Sequence, residues 1–425
     1  MQNEQSFRCE AEILSVNQSQ LPRMLIVWNG LPCNHLGAGI LMRRLFAEYP
    51  PDHLWALTTY QSMRGLASYD PVPPPKRQIP VPEIQIPRRW IDKLAHIINF
   101  LFIPWTVWRG VQLMRNENIE AIFTVPWSQF TIAAYFIHWI TDLPIYMYIM
   151  DDPDGTRRAD GSQPLLYSTL MPRLVRACKR VWGVSDGMCE YFEKNYGVKC
   201  LSLLPPLDLE TFQRESAERK VSADGTLHVV FTGSIYSAQV DSVRRLVRVV
   251  DQYSGRNGHS DAKMQLTLYT DAPVKALERL GVMGKNIRRD EVQHRDIARV
   301  LAEADVAFLP LSFESDMRHI VETSFPSKIA EYLASGIPIL VHAPSYSAAA
   351  RYCLAHACGL VVDEPSEASL QHALVRLSTD AALRRELSAA AIETAARNHD
   401  ANQIVPSFLE NICQPYSTRR IWTSE

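Results

Sequence analysis

Short apolar segments alternate with helical stretches along most of this chain, and the alternation starts twice. The first series begins at residues 24–28 and the second at residues 228–232. Strands that alternate with helices form parallel sheets that are covered by helices. The sequence therefore predicts an α/β protein with two Rossmann-like, doubly wound domains that face each other across a cleft.

A charged stretch with few apolar residues separates the two series, and such a stretch is typical of an interdomain connection. A chain of 425 residues is also too long for one ordinary hydrophobic core. The predicted organisation is a mobile lead, an N-terminal Rossmann-like domain, a linker, a C-terminal Rossmann-like domain and a tail that packs back on the N-terminal domain. These parts cover, in order, residues 1–22, 23–205, 206–226, 227–397 and 398–425.

Composition narrows the class of protein. Apolar residues make up 47% of the chain and charged residues 21%, as in folded globular proteins. The formal net charge of −2 argues against a nucleic-acid partner. None of the eight cysteines forms a CxxC pair, which favours reduced thiols and a cytoplasmic location. The polar first residues predict no signal peptide, and the lack of a long apolar run predicts no transmembrane helix.

Residues 325–338 carry the most informative local pattern. Pro326 suits the first turn of a helix, Gly336 suits its end, and apolar strands are predicted on both sides. Free N–H groups at the start of such a helix, together with the charge of Lys328, suit a phosphate. Glu331, one turn further along, is expected to accept hydrogen bonds from sugar or ribose hydroxyls. The alternative is a solvated helix with an ordinary charge pair at i, i+3.

Small residues form turns after the first strand of each series. Gly233 and Ser234 follow one strand at a place where backbone N–H groups can approach a phosphate, although an ordinary tight turn is the alternative. Gly37, Ala38 and Gly39 lack the third glycine of a dinucleotide fingerprint. We predict that this loop lines the cleft.

Acidic residues end another predicted strand, where the ligand sites of open α/β sheets gather. Asp152 and Asp154 spell the DxD pattern that can hold a divalent metal on a diphosphate. The same stretch is good turn chemistry. Three interpretations are open, namely a turn, carboxylates that contact the acceptor or the donor sugar, and a metal site. We assign Asp151 and Asp152 to the cleft and predict no metal.

Two unusual segments lie between residues 70 and 114. Residues 70–87 hold seven prolines in 18 positions, which predicts a surface loop rather than a strand or helix. Residues 88–114 combine three tryptophans with aliphatic residues and arginines. This composition suits peripheral contact with a membrane surface. The alternative is a buried helix pair broken at Pro104.

Four segments of the C-terminal half follow one another in a recognisable order, at residues 232–234, 296–310, 326–338 and 358–363. The set resembles the retaining glycosyltransferases of the family 4 / group 1 type, which have the GT-B fold. The N-terminal half resembles them more loosely, through residues 37–39 and 182–192. The resemblance implies a nucleotide-sugar donor bound mainly by the second domain and an acceptor bound by the first.

The resemblance also implies a reaction. A sugar moves from a nucleotide-diphosphate donor to an acceptor hydroxyl, with retention of configuration and without a metal or other cofactor. Polysaccharide or lipid-linked glycan synthesis, at the inner face of the membrane, is the usual context. The alternatives are a nucleotide-sugar 2-epimerase and a non-catalytic GT-B homologue that binds nucleotide sugars.

Individual site residues follow from the same resemblance. Glu331 matches the second of two paired glutamates, which usually holds the ribose, whereas the first is replaced by Thr323. The usual Arg/Lys pair on the diphosphate is absent after Gly233, and Lys328, Arg318 and Arg244 are candidate substitutes. The predicted catalytic residues are Lys328, Glu331 and Asp152; the donor-binding residues are Gly233, Ser234, Arg318, Ser327, Lys328 and Glu331; the acceptor or cleft residues are Gly37, Ala38, Gly39, Asp151 and Asp152.

Overall fold

The chain folds into two parallel β-sheets with helices packed around them. The computed structural model describes residues 20–33, 37–59, 62, 76–82, 98–126, 128–151, 167–217, 225–256 and 264–414. Within the described residues, no helix is both long and apolar enough to cross a membrane.

The N-terminal domain contains seven parallel strands. Its elements are β1 (Met24–Val27), α1 (Gly37–Leu45), β2 (Leu54–Thr59), β3 (Arg77–Val81), α2 (Ile103–Glu117), β4 (Ala121–Thr124), α3 (Gln129–Thr141), β5 (Ile145–Ile149), α4 (Tyr167–Ala177), β6 (Arg180–Gly183), α5 (Asp186–Tyr196) and β7 (Cys200–Ser202). The strand order is β3-β2-β1-β4-β5-β6-β7. Strands β1, β4 and β5 are buried at every position, as expected for strands with both faces covered.

The C-terminal domain contains six parallel strands in the order β10-β9-β8-β11-β12-β13. Its elements, with the connecting helix α6 before them and the final helix after them, are α6 (Leu209–Ala217), β8 (Leu227–Thr232), α7 (Ser237–Arg256), β9 (Met264–Tyr269), α8 (Val274–Arg279), β10 (Ile287–Asp290), α9 (Ile297–Ala302), β11 (Val306–Pro310), α10 (Arg318–Thr323), α11 (Lys328–Ala334), β12 (Ile339–His342), α12 (Ala348–Ala355), β13 (Leu360–Val362), α13 (Glu367–Thr379), α14 (Ala381–Asn398) and α15 (Ala401–Cys413).

In each sheet the strand order reverses once, between β1 and β4 in the first sheet and between β8 and β11 in the second. Ligands of open α/β sheets bind at the carboxyl ends of the strands beside such a reversal. The turn after Thr232 therefore lies at the expected ligand position of the second domain. The predicted architecture of two Rossmann-like domains is confirmed.

The last helix, α15, returns to the N-terminal domain. The Phe408 ring contacts those of Phe46, Phe123 and Trp182, with centroids 5.5, 6.1 and 5.1 Å away. The Tyr146 hydroxyl donates a hydrogen bond to the Ile412 carbonyl at 2.8 Å. This helix is thus part of the first domain's core although it follows the second domain in sequence.

The chain crosses between the domains twice, and the two crossings are bonded to each other. The Leu207 N–H donates to the His399 carbonyl at 2.7 Å, and the Ala401 N–H donates to the Leu207 carbonyl at 3.0 Å. The fully buried His399 ring lies between the Pro205 carbonyl oxygen and the Tyr352 hydroxyl.

One sequence-based expectation, the loop at residues 70–87, is wrong, and the structure adds detail to two others. The proline-rich stretch contains strand β3, because Pro80 lies in the outermost strand of the sheet, where proline costs least. The predicted linker contains helix α6, which binds the C-terminal domain through a hydrogen bond from the Ser216 hydroxyl to the Ser335 carbonyl at 2.8 Å. A break of the helix near Pro104 agrees with the alternative stated above: residues 98–101 are helical, Phe102 is a turn, and α2 begins at Ile103 with Pro104 in its first turn, where no proline N–H is needed.

Candidate functional site

The carboxyl edges of the two sheets face each other. A Cβ added to Gly37, at the start of α1, would lie 3.8 Å from the Ser327 hydroxyl of the other domain. The Ser185 hydroxyl donates to the Thr323 carbonyl at 3.2 Å. The loops predicted to form the site therefore lie on opposite sides of one interdomain cleft.

Helix α11 begins at Lys328, two residues later than the sequence suggests. Pro326 and Ser327 form a turn before it, in which the Ile329 N–H donates to the Pro326 carbonyl at 3.0 Å and the Ala330 N–H donates to the Ser327 carbonyl at 3.3 Å. These bonds use N–H groups of the first turn. Fewer free N–H groups therefore remain at this end of the helix than the sequence predicts.

The Lys328 ammonium is buried without a hydrogen-bond partner among the described residues. Parts of the Lys328 stem are exposed, but Nζ lies over the Phe231 ring, 3.7 Å from its centroid. Burial lowers the pKa of Lys328 to about 7, although the nearby Glu331 carboxylate opposes this shift. A buried ammonium in this state lacks the anion that would stabilise its charge.

The Gly233 turn brings the backbone close to this ammonium. Gly233 has a φ of +96°, and a Cβ there would lie 3.5 Å from the Lys328 Nζ. The Gly233 N–H donates to the Tyr269 carbonyl at 2.8 Å, so it is used within the sheet. The Tyr332 hydroxyl accepts a hydrogen bond from the Thr232 N–H at 3.0 Å and thereby fixes α11 to the turn. Gly233 thus leaves space beside Lys328 instead of offering its own amide.

Glu331 has partners on both sides of the cleft. Its Oε1 accepts a hydrogen bond from the Arg44 guanidinium of the N-terminal domain at 2.9 Å and lies 3.2 Å from the His294 Nε2. The side chains of Arg44 and Glu331 are each only 11% exposed. Burial alone would raise the pKa of Glu331, but His294 and Arg44 outweigh burial and lower the pKa to about 2. Glu331 is therefore ionised at any physiological pH.

Asp151 and Tyr236 lie close enough across the cleft for the charge of Asp151 to act on the Tyr236 hydroxyl. Both side chains are open to the solvent of the cleft, yet the surrounding protein raises the pKa of the Asp151 carboxyl by desolvation. Burial and the charge of Asp151 raise the pKa of Tyr236 to about 12, and a hydrogen bond with Ser324 opposes that rise. The carboxyl end of β5 is thus brought opposite the turn that follows Gly233. Asp152 and Asp154 lie outside the described residues.

Three other predicted residues differ in exposure: Ser234 and Arg318 are exposed, whereas Gly39 is buried. Ser234 follows Gly233 in the turn and is exposed. Gly39 is buried, and a Cβ there would lie 2.2 Å from the Cys33 sulfur, so packing requires the glycine. Arg318 is exposed; its guanidinium lies over the Tyr346 ring, 4.1 Å from the centroid, and is 3.9 Å from the Glu322 carboxylate.

Only one of the three candidate substitutes for the missing cation pair lies beside the Gly233 turn. The Arg244 guanidinium donates to the Leu280 carbonyl, on the side of the domain that packs against α8. Lys328 is the cation that faces the turn.

The position of the absent first glutamate is occupied by structural contacts. The Thr323 hydroxyl donates to the His319 carbonyl of its own helix at 3.3 Å and is buried. Glu322, one residue away, pairs with Arg318. No carboxylate from the described part of α10 therefore stands in for that glutamate.

Sequence reasoning missed four residues that shape the site: Arg44, His294, Tyr332 and Tyr236. Arg44 and His294 carry no local pattern, because their role depends on contact with a helix far away in sequence. Tyr332 lies within residues 325–338, and Tyr236 lies two residues after Ser234. Their hydroxyl groups, close to predicted site residues, were the signal that could have identified them. Within the residues described, no group of three or more His, Cys, Asp or Glu side chains could hold a metal ion.

The C-terminal domain, which contains Lys328 and Glu331, matches a known protein family. Residues 226–380 match the family model of glycosyl transferases group 1. No curated protein matches the chain in sequence.

Solved structures match the whole fold. Sucrose-phosphate synthase from Thermosynechococcus elongatus is 15% identical with a TM-score of 0.69, and the match covers 91% of this chain and 97% of that one. HepE of Anabaena, in complex with UDP and glucose, is 12% identical with a TM-score of 0.65, covering 93% and 100%. WaaG, a glycosyltransferase involved in lipopolysaccharide biosynthesis, is 15% identical with a TM-score of 0.57, covering 93% and 99%. The chain thus has the GT-B fold, and residues 226–380, in its C-terminal domain, match the family of glycosyl transferases group 1.

Proposed function

We propose that the protein transfers a sugar from a nucleoside-diphosphate donor to an acceptor hydroxyl, with retention of anomeric configuration and without a divalent metal. One observation carries the proposal: the buried Lys328 ammonium beside Gly233, which has no hydrogen-bond partner among the residues described. A diphosphate at the turn supplies the missing anion.

The chemistry follows from where charge develops. As the bond from the anomeric carbon to the diphosphate breaks, negative charge collects on the leaving oxygen and positive charge on the sugar. Lys328 stabilises the leaving group as a preorganised cation in a water-poor site. The acceptor hydroxyl attacks from the leaving-group face, and its proton passes to the departing phosphate oxygen. Retention then requires no separate base.

We assign the nucleotide to the C-terminal side of the cleft and the sugar or the acceptor to the N-terminal side. Glu331 holds the ribose, and Ser234 and Ser327 flank the diphosphate. Asp151, opposite Tyr236, contacts the sugar or the acceptor. UDP is the first nucleotide to test, because HepE of Anabaena was solved with UDP and with UDP-glucose.

Nucleotide release tests the proposal. The protein is incubated with UDP-, GDP- and ADP-sugars and candidate acceptors, with and without EDTA. We expect release of one nucleoside diphosphate that depends on an acceptor, persists in EDTA and is lost in Lys328→Met. Release that is the same in Lys328→Met and wild type contradicts the diphosphate assignment. Release that EDTA abolishes contradicts the metal-independent mechanism.

A specific observation favours one alternative, a non-catalytic nucleotide-sugar binder. Thr323 replaces the first glutamate, and Glu322 pairs with Arg318 at the surface. Tight nucleotide binding without turnover, across all donors and acceptors, would decide for it. Interconversion of nucleotide sugars without an acceptor would instead indicate a 2-epimerase, with Asp151 as the acid or base.

We propose further that the acceptor is lipid-linked or part of a growing glycan and that the protein works at the cytoplasmic face of a membrane. The basis is a set of exposed apolar side chains on α2, on the helical segment just before it and on α3, namely Leu101, Trp105, Trp108, Trp139 and Ile140. Arg109 lies over two of these rings, 5.9 and 5.7 Å from their centroids. Gly110 of α2 packs against Ile137 of α3, so the two helices that carry these side chains are in direct contact. Tryptophans beside a cation suit the headgroup region of a bilayer.

Vesicle sedimentation tests the membrane contact. We expect binding to vesicles that contain anionic phospholipid, and loss of that binding when Trp108 and Trp139 are both replaced by Ser. Leu354→Ser serves as the control, because Leu354 is 57% exposed but belongs to the other domain. Equal sedimentation of the double variant and the wild type contradicts the proposal.

A further inference from the structure

We propose that Arg44 is a positioning residue for the donor. From the N-terminal domain, it holds the Glu331 carboxylate so that the second carboxylate oxygen faces the ribose. This inference rests on the proposed binding of a nucleoside diphosphate at α11. It adds a residue to that site from the N-terminal domain, and it ties recognition of the ribose to the relative position of the two domains.

The two oxygens of Glu331 are not equivalent. Oε1 accepts from the Arg44 guanidinium and adjoins the His294 Nε2, whereas Oε2 has no hydrogen bond to any described residue. The Glu331 side chain is only 11% exposed, so few orientations are open to its carboxylate. A carboxylate tied through one oxygen presents the other in a fixed direction, where it can accept hydrogen bonds from a pair of ribose hydroxyls.

Arg44 is the donor that remains whatever the state of His294. The His294 Nε2 lies 3.1 Å from an Arg44 nitrogen and 3.2 Å from the Glu331 Oε1. A single ring nitrogen cannot at once accept from the guanidinium and donate to the carboxylate. One of those two contacts is therefore lost in either tautomer, while the bond from Arg44 to Glu331, at 2.9 Å, persists.

Arg44 is itself anchored where the chain crosses between domains. Its second terminal nitrogen donates to the Pro206 carbonyl at 3.3 Å. The guanidinium thus joins α1, the first crossing and α11. Separation of the domains breaks its bond to Glu331 and releases the carboxylate, so the ribose is gripped firmly only when the cleft is closed.

The test compares nucleotides that differ only in the ribose. Dissociation constants are measured by calorimetry for UDP, ADP and GDP and for their 2′,3′-dideoxy forms, which lack both hydroxyls. Hydrogen bonds to a charged group suggest that the wild type prefers its ribonucleotide by about tenfold or more. We expect Arg44→Ala to reduce the preference to about twofold. Arg43→Ala removes the same charge from the same turn of α1 and should keep the preference.

A merely structural Arg44 predicts a different result. In that case Arg44→Ala weakens the ribo and dideoxy forms by the same factor, and an unchanged preference overturns the inference while leaving the proposed function intact. A wild type that binds a nucleoside diphosphate without preferring ribose overturns the ribose assignment and this inference together. A wild type that binds none of the diphosphates overturns the proposed function itself.

A second variant guards against misfolding. Arg44→Lys keeps the positive charge but lacks the forked donor geometry of the guanidinium. We expect it to fold, as judged by its melting temperature, and to show a preference between those of Arg44→Ala and the wild type. Full wild-type preference in a folded Arg44→Lys protein, together with full preference in Arg44→Ala, contradicts the inference.

Discussion

Two charged groups stand one helical turn apart on α11, and the protein treats them in opposite ways. Glu331 is buried with a guanidinium and an imidazole against it, which lower its pKa to about 2. Lys328 is buried with no hydrogen-bond partner in the described part of the chain, and its pKa falls to about 7. The fold satisfies one charge, and under the proposed function the diphosphate of the donor satisfies the other.

The difference has an energetic meaning. A buried charge with partners contributes to holding elements in place, but a buried charge without them destabilises the folded state. A protein keeps such a group when a substrate completes it. Perturbed ionisable groups in a cleft mark functional sites for this reason.

The largest expected effect is the loss of nucleoside-diphosphate affinity when Lys328 is replaced. Lys328→Met removes the ammonium and keeps the length of the side chain, so nucleoside-diphosphate affinity should fall by at least about a hundredfold. The free protein should become more stable by about 2 kcal/mol, because an unpaired buried charge disappears. Calorimetry and thermal unfolding measure the two quantities. Lys275→Met, at an exposed position, should change neither. Loss of stability in Lys328→Met would contradict the comparison.

Glu331 should respond in the opposite direction. Glu331→Gln keeps the shape but removes the charge that Arg44 and His294 face, so the free energy of unfolding should fall by about 3 kcal/mol. The double variant Arg44→Met with Glu331→Leu should lose less stability than the sum of the two single variants, because it leaves neither charge alone. Denaturant titration measures these values. Strict additivity would indicate that the pair at 2.9 Å is not coupled.

The pH dependence sharpens the contrast. Above pH 7 the free Lys328 loses its proton, so affinity for a nucleoside diphosphate should fall by up to about tenfold per pH unit. Its pKa in the folded state lies below the ordinary value of 10.5, so the unfolded chain binds more protons between pH 7 and 10.5, and the free protein should gain stability as pH rises through that range. Glu331 stays ionised throughout. Proton uptake on binding, measured in buffers of different ionisation enthalpy, provides the check, and pH-independent binding would refute it.

The smallest expected effect concerns how α11 is attached to the turn. Tyr332→Phe leaves the buried Thr232 N–H without its acceptor, which should cost about 1–2 kcal/mol of stability. Because the turn then shifts relative to Lys328, nucleotide affinity should weaken by less than about tenfold. Chemical denaturation and calorimetry measure both. Tyr253→Phe, in α7, is the control and should leave the affinity unchanged. Unaltered stability of Tyr332→Phe would contradict the stabilising role of the Tyr332 hydroxyl.

Much of the fold follows from sequence because its signals are local. The apolar runs of β1 and β8, each followed by small residues and a helix, are sufficient to predict two Rossmann-like units. Lys328 also follows from local pattern, because it sits between a predicted strand end and a helix. The same local logic failed at β3, where Pro80 in an edge strand looks like a loop residue.

The remaining features depend on contacts between distant parts of the chain. Arg44 and Glu331 are 287 residues apart, and no local sequence pattern predicts their contact. The Gly233 N–H was expected to bind phosphate, but the sheet extends one residue further and uses it for the Tyr269 carbonyl. Such assignments require the three-dimensional arrangement. The predicted role of Asp152 stays a prediction.

The return of α15 to the first domain has a consequence for synthesis of the protein. Phe408 completes an aromatic cluster around Phe123 and Trp182, yet it leaves the ribosome only after the whole second domain has been made. At ordinary translation rates that interval is roughly 10–40 s. During it the first domain presents an open apolar face to chaperones and to other nascent chains. Shortening the chain before residue 401 should therefore cause aggregation that begins in the first domain, not in the one that was cut.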